Sequence, residues 1–158
     1  MSSEERDFVG ELIRAWRERD LGRLTDRFDE DVVVSTPTGT LIGHADAERH
    51  LAGIIAALPD LTGDVIRWIW HGDELETHMM YAATVGGRIL KWRGIDRYRF
   101  LDGRVVEKVS NYDHRMILRR MLRSPHGWRQ LLSAQRVRSE FNAARLAPIR
   151  VSHQERAA

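Results

Sequence analysis

The chain has 158 residues, of which 42% are hydrophobic and 30% are charged, a balance typical of one soluble globular domain. It contains no cysteine, which excludes disulfides, thiolate catalysis and zinc–thiolate sites. The formal net charge is +2, but residues 1–113 sum to −6 and residues 114–158 sum to +8, so the body is acidic and the C-terminal part is basic.

The first third of the chain predicts helices around a short strand pair. In chain order, the predicted elements are a helix over about residues 4–19, a second short helix, short strands over 32–36 and 40–42, and a third helix over about 45–58. Phe8, Leu12 and Trp16 recur at helical spacing in the first helix. Leu21, Leu24 and Phe28 form the apolar side of the second helix.

Four longer strands and two helices follow. The strands are predicted over about residues 61–71, 74–85, 88–101 and 104–112, and the helices over about 113–122 and 128–145. Asp113 caps the first of these helices, and Ser124-Pro125 separates the two. This order predicts an α+β fold, with helices covering one face of a curved antiparallel sheet.

Gly86-Gly87 predicts a two-residue turn that fixes the register of the two longest strands. If Val85 pairs with Arg88, the numbers of opposite residues sum to 173. Glu76 then faces Arg97 on the outer side of the sheet, as Glu74 faces Arg99, which is a favourable pairing of opposite charges. The same register sets Thr77 against Asp96 on the inner side, and it sets Met79 against Gly94 and Tyr81 against Trp92.

In the strand predicted over about residues 88–101, successive side chains point to opposite faces, one apolar and the other basic. Asp96 is the single ionisable residue on the apolar face. Burial of an unpaired carboxylate favours the protonated form that a general acid or base exploits. The functional interpretation is therefore proton transfer, with Thr77 orienting Asp96. The structural interpretation is that Asp96 pairs with an inward Lys108 or a hydroxyl and fixes the strand.

Two turns are possible at residues 101–103. A three-residue turn with a left-handed Gly103 points Lys108, Ser110 and Tyr112 inward, and this is the arrangement we expect. A two-residue turn would instead point Glu107, Asn111 and Asp113 inward. Trp68 and Trp70 share one face, where they either join the core or form an outer sheet-to-sheet contact.

The chain resembles the SnoaL-like, or nuclear transport factor two-like, family of cystatin-like α+β cones over about residues 5–122. The resemblance depends on the order and spacing of several short motifs, which are Arg19-Asp20-Leu21, Leu24, Phe28 to Val33, Gly39, Gly43, Pro59-Asp60-Leu61, Arg97 to Val105, and Tyr112-Asp113. It implies a curved antiparallel sheet wrapped around helices, with an internal pocket. Residues 1–123 would form this domain, and residues 124–158 a basic helical extension with a disordered end.

The resemblance does not transfer a known reaction. In a comparison with ketosteroid isomerases, Asp96 stands where those enzymes have the acid of the oxyanion hole. Thr36 stands where they have the general base, and Leu12 stands where they have the tyrosine of the oxyanion hole. Against SnoaL-type cyclases, Asp96 falls on a pocket histidine and the acid/base aspartate on Ser110. Against limonene epoxide hydrolases, the catalytic set falls on Met79, Thr77 and Ser110.

These comparisons define the predicted site. The predicted catalytic residues are Asp96, Thr77, Tyr81 and Ser110. The predicted substrate-binding residues, lining the cone, are Leu12, Trp16, Thr36, His44, Met79, Trp92, Tyr98 and Tyr112. No metal ligand set and no cofactor are expected.

Two functions of different classes remain open. One is an acid/base isomerase, cyclase or dehydratase acting on a hydrophobic, polyketide- or steroid-like substrate in the cone. The other is a non-catalytic module that binds an apolar ligand or dimerises. We expect a cytoplasmic homodimer with no membrane partner. The basic extension is expected to dock on an acidic surface of its own or a sister subunit, and nucleic-acid binding is the weaker alternative.

Overall fold

The computed structural model describes the backbone of residues 3–20 and 22–146 and the side chains of residues 7–20 and 22–136. The helices are α1 (Ser3–Glu18), α2 (His44–Ala57), α3 (His114–Leu122) and α4 (Pro125–Leu146). The strands are β1 (Phe28–Thr36), β2 (Gly39–Ile42), β3 (Thr62–His71), β4 (Glu74–Val85), β5 (Arg88–Leu101) and β6 (Arg104–Tyr112). The end of the predicted extension, residues 147–158, lies outside the described residues, as does Leu21.

The six strands form one curved, open sheet in the order β2-β1-β6-β5-β4-β3. This confirms the predicted α+β cone. Four of the five strand pairings are antiparallel as expected, but β1 and β6 run parallel. The parallel pair arises because β1 comes before α2 in the chain, and the meander β3 to β6 returns to pair with it from the other side.

The predicted second helix is reduced to one 3-10 turn over Gly22–Leu24. Phe28 does not belong to it, and that part of the prediction is wrong. Phe28 starts β1 instead, pairs with Val105, and is 4% exposed in the core. Its apolar side chain is buried equally well from a strand, so apolar spacing alone did not separate the two possibilities.

The register between β4 and β5 is confirmed for every pair from Glu74 with Arg99 to Val85 with Arg88. The predicted outer pair Glu76–Arg97 forms an ion pair at 2.9 Å. Arg99, however, binds Glu107 at 3.0 Å rather than its opposite residue Glu74. The half-buried Glu76 carboxyl has a lowered pKa because it accepts hydrogen bonds from Arg97 and His78.

Two core clusters fill the space between the helices and the sheet, and Trp16 packs against both of them. In the first, the Phe8 ring of α1 contacts Tyr98 and Phe100 edge-on, with centroids 5.2 and 5.1 Å away. Trp70 joins this cluster, 5.3 Å from Phe100, so the inner-face interpretation of that tryptophan is correct. The second cluster joins β4 and β5 to α2, α3 and α4.

Both C-terminal helices pack on the body of the same chain. Asp113 caps α3 as predicted, because its side chain accepts a hydrogen bond from the backbone N–H of Met116. Gln130 of α4 is buried and bridges the β4–β5 hairpin, donating to the carbonyl oxygen of Thr84 and accepting from the N–H of Gly86. Within residues 3–20 and 22–146, no helix has both the length and the apolar composition needed to cross a membrane.

Candidate active site

Asp96 lies at the centre of the concave face of the sheet. Its neighbours across the strands are Thr77 on β4 and Ser110 on β6. All three are buried, with exposed fractions of 4%, 0% and 8% respectively. The period of two along each strand therefore brings a polar row into a face that is otherwise apolar.

The Asp96 carboxylate is not alone at this position. Tyr81 donates a hydrogen bond to its Oδ2 atom at 3.0 Å, and Tyr98 donates to the same atom at 3.4 Å. The Lys108 ammonium group lies 3.5 Å from Oδ2 and also 5.3 Å from the centre of the Tyr98 ring. Among the described residues, none is hydrogen-bonded to the other carboxylate oxygen, Oδ1.

These contacts join the buried Asp96 and Tyr98 to the half-buried Tyr81 and Lys108, and we call the four residues the carboxylate cluster. Burial raises the pKa of Tyr81 well above its ordinary value, and the nearby Asp96 carboxylate raises it further. The pKa of Tyr98 is raised well above its ordinary value by the same two causes. Both phenols therefore remain protonated hydrogen-bond donors at neutral pH.

Thr77 does not orient the carboxylate, contrary to expectation. Its hydroxyl donates instead to the backbone carbonyl oxygen of Asp96 at 3.3 Å. A β-branched side chain has few rotamers on a strand, and the cross-strand carbonyl group lies within its reach. Thr77 thus fixes the backbone at Asp96, while the tyrosines hold the carboxylate.

The gap expected at Gly94 is filled. A side chain carbon at this position would lie 2.7 Å from Cε2 of Tyr81, so the tyrosine ring occupies the space that the glycine leaves. Trp16 fills the corresponding space at Gly63, where a side chain carbon would lie 2.8 Å from its ring. Trp16 and Tyr81 also contact each other, with ring centroids 5.6 Å apart.

The open space near the site is a groove at the ends of β1 and β6. We call it the β1–β6 groove; it is open to solvent, has a volume of about 550 Å³ and is lined by Ser35, Thr36, Pro37, Val109, Ser110, Asn111 and Tyr112. None of these lining residues carries a formal charge. Ser110 belongs to the groove wall and is also the strand neighbour of Asp96, so the carboxylate cluster lies one residue behind the wall.

Besides Asp96 and Thr77, the predicted site residues divide into three groups. Thr36, Ser110 and Tyr112 line the β1–β6 groove. The residues of the packed interior are Leu12, Trp16, Met79, Tyr81, Trp92 and Tyr98. His44, the first residue of α2, is 31% exposed and its Nε2 atom lies 3.4 Å from Glu48 Oε1, so the described structure ties it to its own helix rather than to the cluster.

Lys108, Ser110 and Tyr112 point inward as predicted, but the predicted turn is wrong. Residues 102 and 103 form a two-residue turn, and both have positive φ angles, +50° and +77°. A β-bulge then inserts one extra residue, because Phe100 pairs with Val105 while Arg99 pairs with Glu107. The bulge restores the inward phase that the short turn alone would have reversed.

The sequence missed the role of Tyr98 as a second donor to Asp96. Both residues lie on the same strand face two positions apart, so the alternation pattern contained the signal. The described residues contain no group of three or more His, Cys, Asp or Glu side chains placed to hold a metal ion.

The comparisons with known proteins agree on one family. A model of the SnoaL-like domain matches residues 9–108. Among solved structures, AclR from Streptomyces galilaeus, described as a proposed hydroxylase, is 25% identical, with a TM-score of 0.66 over 79% of this chain and 100% of that one. Among curated proteins, no sequence matches the chain.

Two further structures share the fold at lower identity. A nuclear transport factor two-like protein of unknown function from Burkholderia pseudomallei is 21% identical, with a TM-score of 0.68 over 75% of this chain and 98% of that one. IdmH from Streptomyces antibioticus, described as a proposed polyketide cyclase, is 22% identical, with a TM-score of 0.64 over 76% of this chain and 99% of that one.

Proposed function

Because the chain belongs to the SnoaL-like domain family, we propose that it is a small-molecule enzyme that moves protons with its own side chains. The reaction class is isomerisation, cyclisation or dehydration of a hydrophobic, polyketide- or steroid-like compound. The observation that carries this proposal is a buried, hydrogen-bonded carboxylate one residue behind the wall of a groove. A carboxylate buried beside a cavity and held by hydrogen-bond donors is a typical candidate for acid/base catalysis.

The β1–β6 groove supports the substrate class. Its volume of about 550 Å³ suits a ligand of two to four fused rings, within the usual range for small-molecule sites. Its wall offers the hydroxyl groups of Thr36, Ser110 and Tyr112 and no formal charge. A neutral compound with carbonyl or hydroxyl groups matches this lining better than a phosphate or a carboxylate does.

The proposed roles follow from the geometry. The substrate enters the groove beside Ser110. Asp96 then exchanges a proton with the carbon next to the substrate carbonyl group, and it does so through its Oδ1 atom, to which no described residue is hydrogen-bonded. Ser110 and Tyr112 donate hydrogen bonds to the carbonyl oxygen, where negative charge develops. Burial raises the pKa of Tyr112, followed by the effect of Asp96, so this phenol is a donor at neutral pH.

The remaining members of the carboxylate cluster position Asp96. Tyr81 and Tyr98 fix Oδ2, and Lys108 balances its charge. A group held in this way is already oriented before substrate binds, so little reorganisation is needed during the reaction.

A ligand screen tests the binding half of the proposal. Wild-type protein, Asp96→Asn, Ser110→Ala and the control Asp64→Asn are screened by thermal shift against neutral polycyclic ketones and phenols and their carboxylated analogues. Asp64 is an exposed residue of β3, so its substitution matches the chemistry of Asp96→Asn away from the site. We expect neutral compounds to stabilise the wild-type and control proteins, and Ser110→Ala to weaken their binding. A panel in which only charged compounds bind, or in which Ser110→Ala binds like wild type, contradicts the proposal.

A non-catalytic ligand-binding module is the second candidate. It is favoured by the dense aromatic packing of Trp16, Tyr81 and Trp92, which leaves the interior filled. Under this alternative, the carboxylate cluster only stabilises the sheet. Ligands would then bind equally to wild-type protein and to Asp96→Asn, and no proton would be exchanged.

A further inference from the structure

Another open cavity lies beside the first residues of β1 and β6, and it has a volume of about 570 Å³. Its walls come from the middle of α1, from the segment between the 3-10 turn and β1, and from the turn between β5 and β6. We call it the α1–β6 cleft, and its lining residues are Glu11, Arg14, Arg23, Asp26, Arg27, Asp102, Gly103 and Arg104.

The α1–β6 cleft differs from the β1–β6 groove in both charge and position. Every lining residue of the cleft except Gly103 carries a formal charge, whereas no lining residue of the groove does. The stretch of β6 from Arg104 to Val109 separates the two and is roughly 15 Å long, at about 3.3 Å per residue. The cleft is therefore a site of its own and not a part of the candidate active site.

Neighbouring carboxylates already hold two of the arginines in the cleft wall. The Nη2 atom of Arg27 lies 2.8 Å from Oε1 of Glu11. Arg23 forms ion pairs with Glu18 at 3.1 Å and with Asp20 at 2.9 Å. These contacts fix the walls of the cleft, and they leave the other charged residues of the lining to face a ligand.

Those other residues are two cations and two anions that do not pair with one another. The side chains of Arg14, Asp26 and Asp102 form no hydrogen bond or ion pair with any residue that the structure describes. Arg104 donates one hydrogen bond, from Nη1 to the carbonyl oxygen of Phe28 at 3.3 Å. This bond anchors the guanidinium group of Arg104 and leaves its other N–H groups available.

The backbone at Asp102 is a second, independent observation at the same cleft. Its φ angle is +50°, in the left-handed region that side chains other than glycine seldom adopt. Asp and Asn are tolerated there best, because their side chains can hydrogen-bond to the nearby backbone. The Asp102 carboxylate makes no such bond in the described structure, so all of its acceptor sites stay open beside the cleft.

We propose that the α1–β6 cleft binds a small zwitterion, which is a molecule with an oxyanion group and an ammonium group. Arg14 and Arg104 bind the oxyanion, because guanidinium groups match carboxylate and phosphate oxygens in geometry and charge. Asp26 and Asp102 accept hydrogen bonds from the ammonium group. A simple anion fits less well because it would lie beside two unpaired carboxylates, and a simple cation would lie beside two arginines.

Calorimetric titration of the full-length protein tests the ligand class with four probes. O-phosphoethanolamine and glycylglycine are zwitterions whose oxyanion is a phosphate and a carboxylate, respectively. Inorganic phosphate and ethanolamine each supply only one of the two charged groups. We expect at least one zwitterion to bind about tenfold or more tightly than either single-charge probe, and the tighter zwitterion identifies the preferred oxyanion.

Two single substitutions test the assigned residues. Arg14→Gln and Asp102→Asn should each weaken binding of the zwitterion about tenfold. Both variants should fold normally, because glutamine suits a helix and asparagine suits a left-handed turn. The matched controls are Arg17→Gln on α1 and Asp73→Asn in the β3–β4 turn, two exposed positions outside the cleft, and they should bind like wild type.

Three results would overturn the proposal. One is that neither zwitterion binds the wild-type protein. Another is that inorganic phosphate or ethanolamine binds as tightly as the zwitterions, which would indicate a site for one charge only. The third is that Arg14→Gln and Asp102→Asn bind the zwitterion as tightly as the two control variants do.

Discussion

Asp96 is the single charged residue among the buried residues of the described chain. Its environment is built from three neighbours on the inner face of the sheet: two phenols and one ammonium group. A carboxylate with such partners can be held in the interior without the full cost of an unpaired charge. The same partners orient it for proton transfer.

The three tyrosines of the chain make this environment directly measurable. Tyr81, Tyr98 and Tyr112 are all the tyrosines present, and the pKa of each is raised, first by burial and then by Asp96. We predict that the tyrosinate absorbance at 295 nm appears at a higher pH in the folded protein than in the unfolded chain, which titrates at about pH 10.

The raised pKa values also set the pH dependence of stability. Below pH 10 the phenols are protonated in both states, so their contribution is fully present. Above it the unfolded state loses protons first, and the free energy of unfolding should fall by about 1.4 kcal/mol per pH unit for each tyrosine. Native tyrosines that titrate at the same pH as in the unfolded chain, or a stability that does not fall faster than in Tyr81→Phe, contradict this description.

Gly94 and Gly10 form a pair of opposite predictions. Gly94→Ala places a carbon against Tyr81 and should destabilise the protein by about 1 to 3 kcal/mol. Gly10 lies inside α1 with no atom within 4 Å of an added carbon, so Gly10→Ala should stabilise the protein by up to about 1 kcal/mol. Urea denaturation measures both, and a neutral Gly94→Ala would show that the Tyr81 ring can move freely.

Single residues show what the sequence could and could not predict. The glycine at position 94 indicated a gap, but only the structure shows that Tyr81 fills it. Thr77 was correctly placed opposite Asp96, yet its hydroxyl donates to the backbone carbonyl oxygen of Asp96 rather than to the carboxylate. Register follows from periodicity, whereas the choice among nearby hydrogen-bond acceptors depends on rotamers that periodicity does not determine.

At the scale of elements, the β5–β6 connection combines a two-residue turn and a β-bulge, whose effects on the inward or outward direction of the β6 side chains cancel. The two-residue turn alone would turn Glu107 inward, and the β-bulge after Val105 turns Lys108 inward again. The sequence Asp102-Gly103 indicates the short turn, because both positions tolerate a positive φ angle. Nothing in the local sequence marks the bulge, whereas the structure shows that Val105 beside it is fully buried in the core.

The contact between α4 and the β4–β5 hairpin depends on one side chain. Replacing Gln130 with Ala leaves the carbonyl oxygen of Thr84 and the N–H of Gly86 without their partner. We expect a loss of about 1 to 3 kcal/mol in the free energy of unfolding, measured in urea. The exposed neighbour Gln135→Ala is the control and should be nearly neutral. Equal effects of the two substitutions would mean that this bridge does not stabilise the hairpin.

The whole molecule was predictable in its outline. The order of elements, the α+β class and the central hairpin followed from apolar periodicity and from Gly86-Gly87. The parallel pairing of β1 with β6 did not, because it joins segments about 75 residues apart. The β1–β6 groove opens at this junction. The position of the candidate site therefore depends on the parallel β1–β6 pairing, which the sequence did not predict.

The most direct test of the proposed activity is proton exchange between solvent and a bound ketone. In deuterium oxide, a polycyclic ketone that binds wild-type protein is followed by NMR for deuterium incorporation at the carbon next to its carbonyl group. We predict that wild type and Asp64→Asn catalyse the exchange, and that Asp96→Asn slows it by about 100-fold or more. Binding without exchange, or equal exchange by Asp96→Asn, would contradict the assignment of Asp96 as the acid/base group.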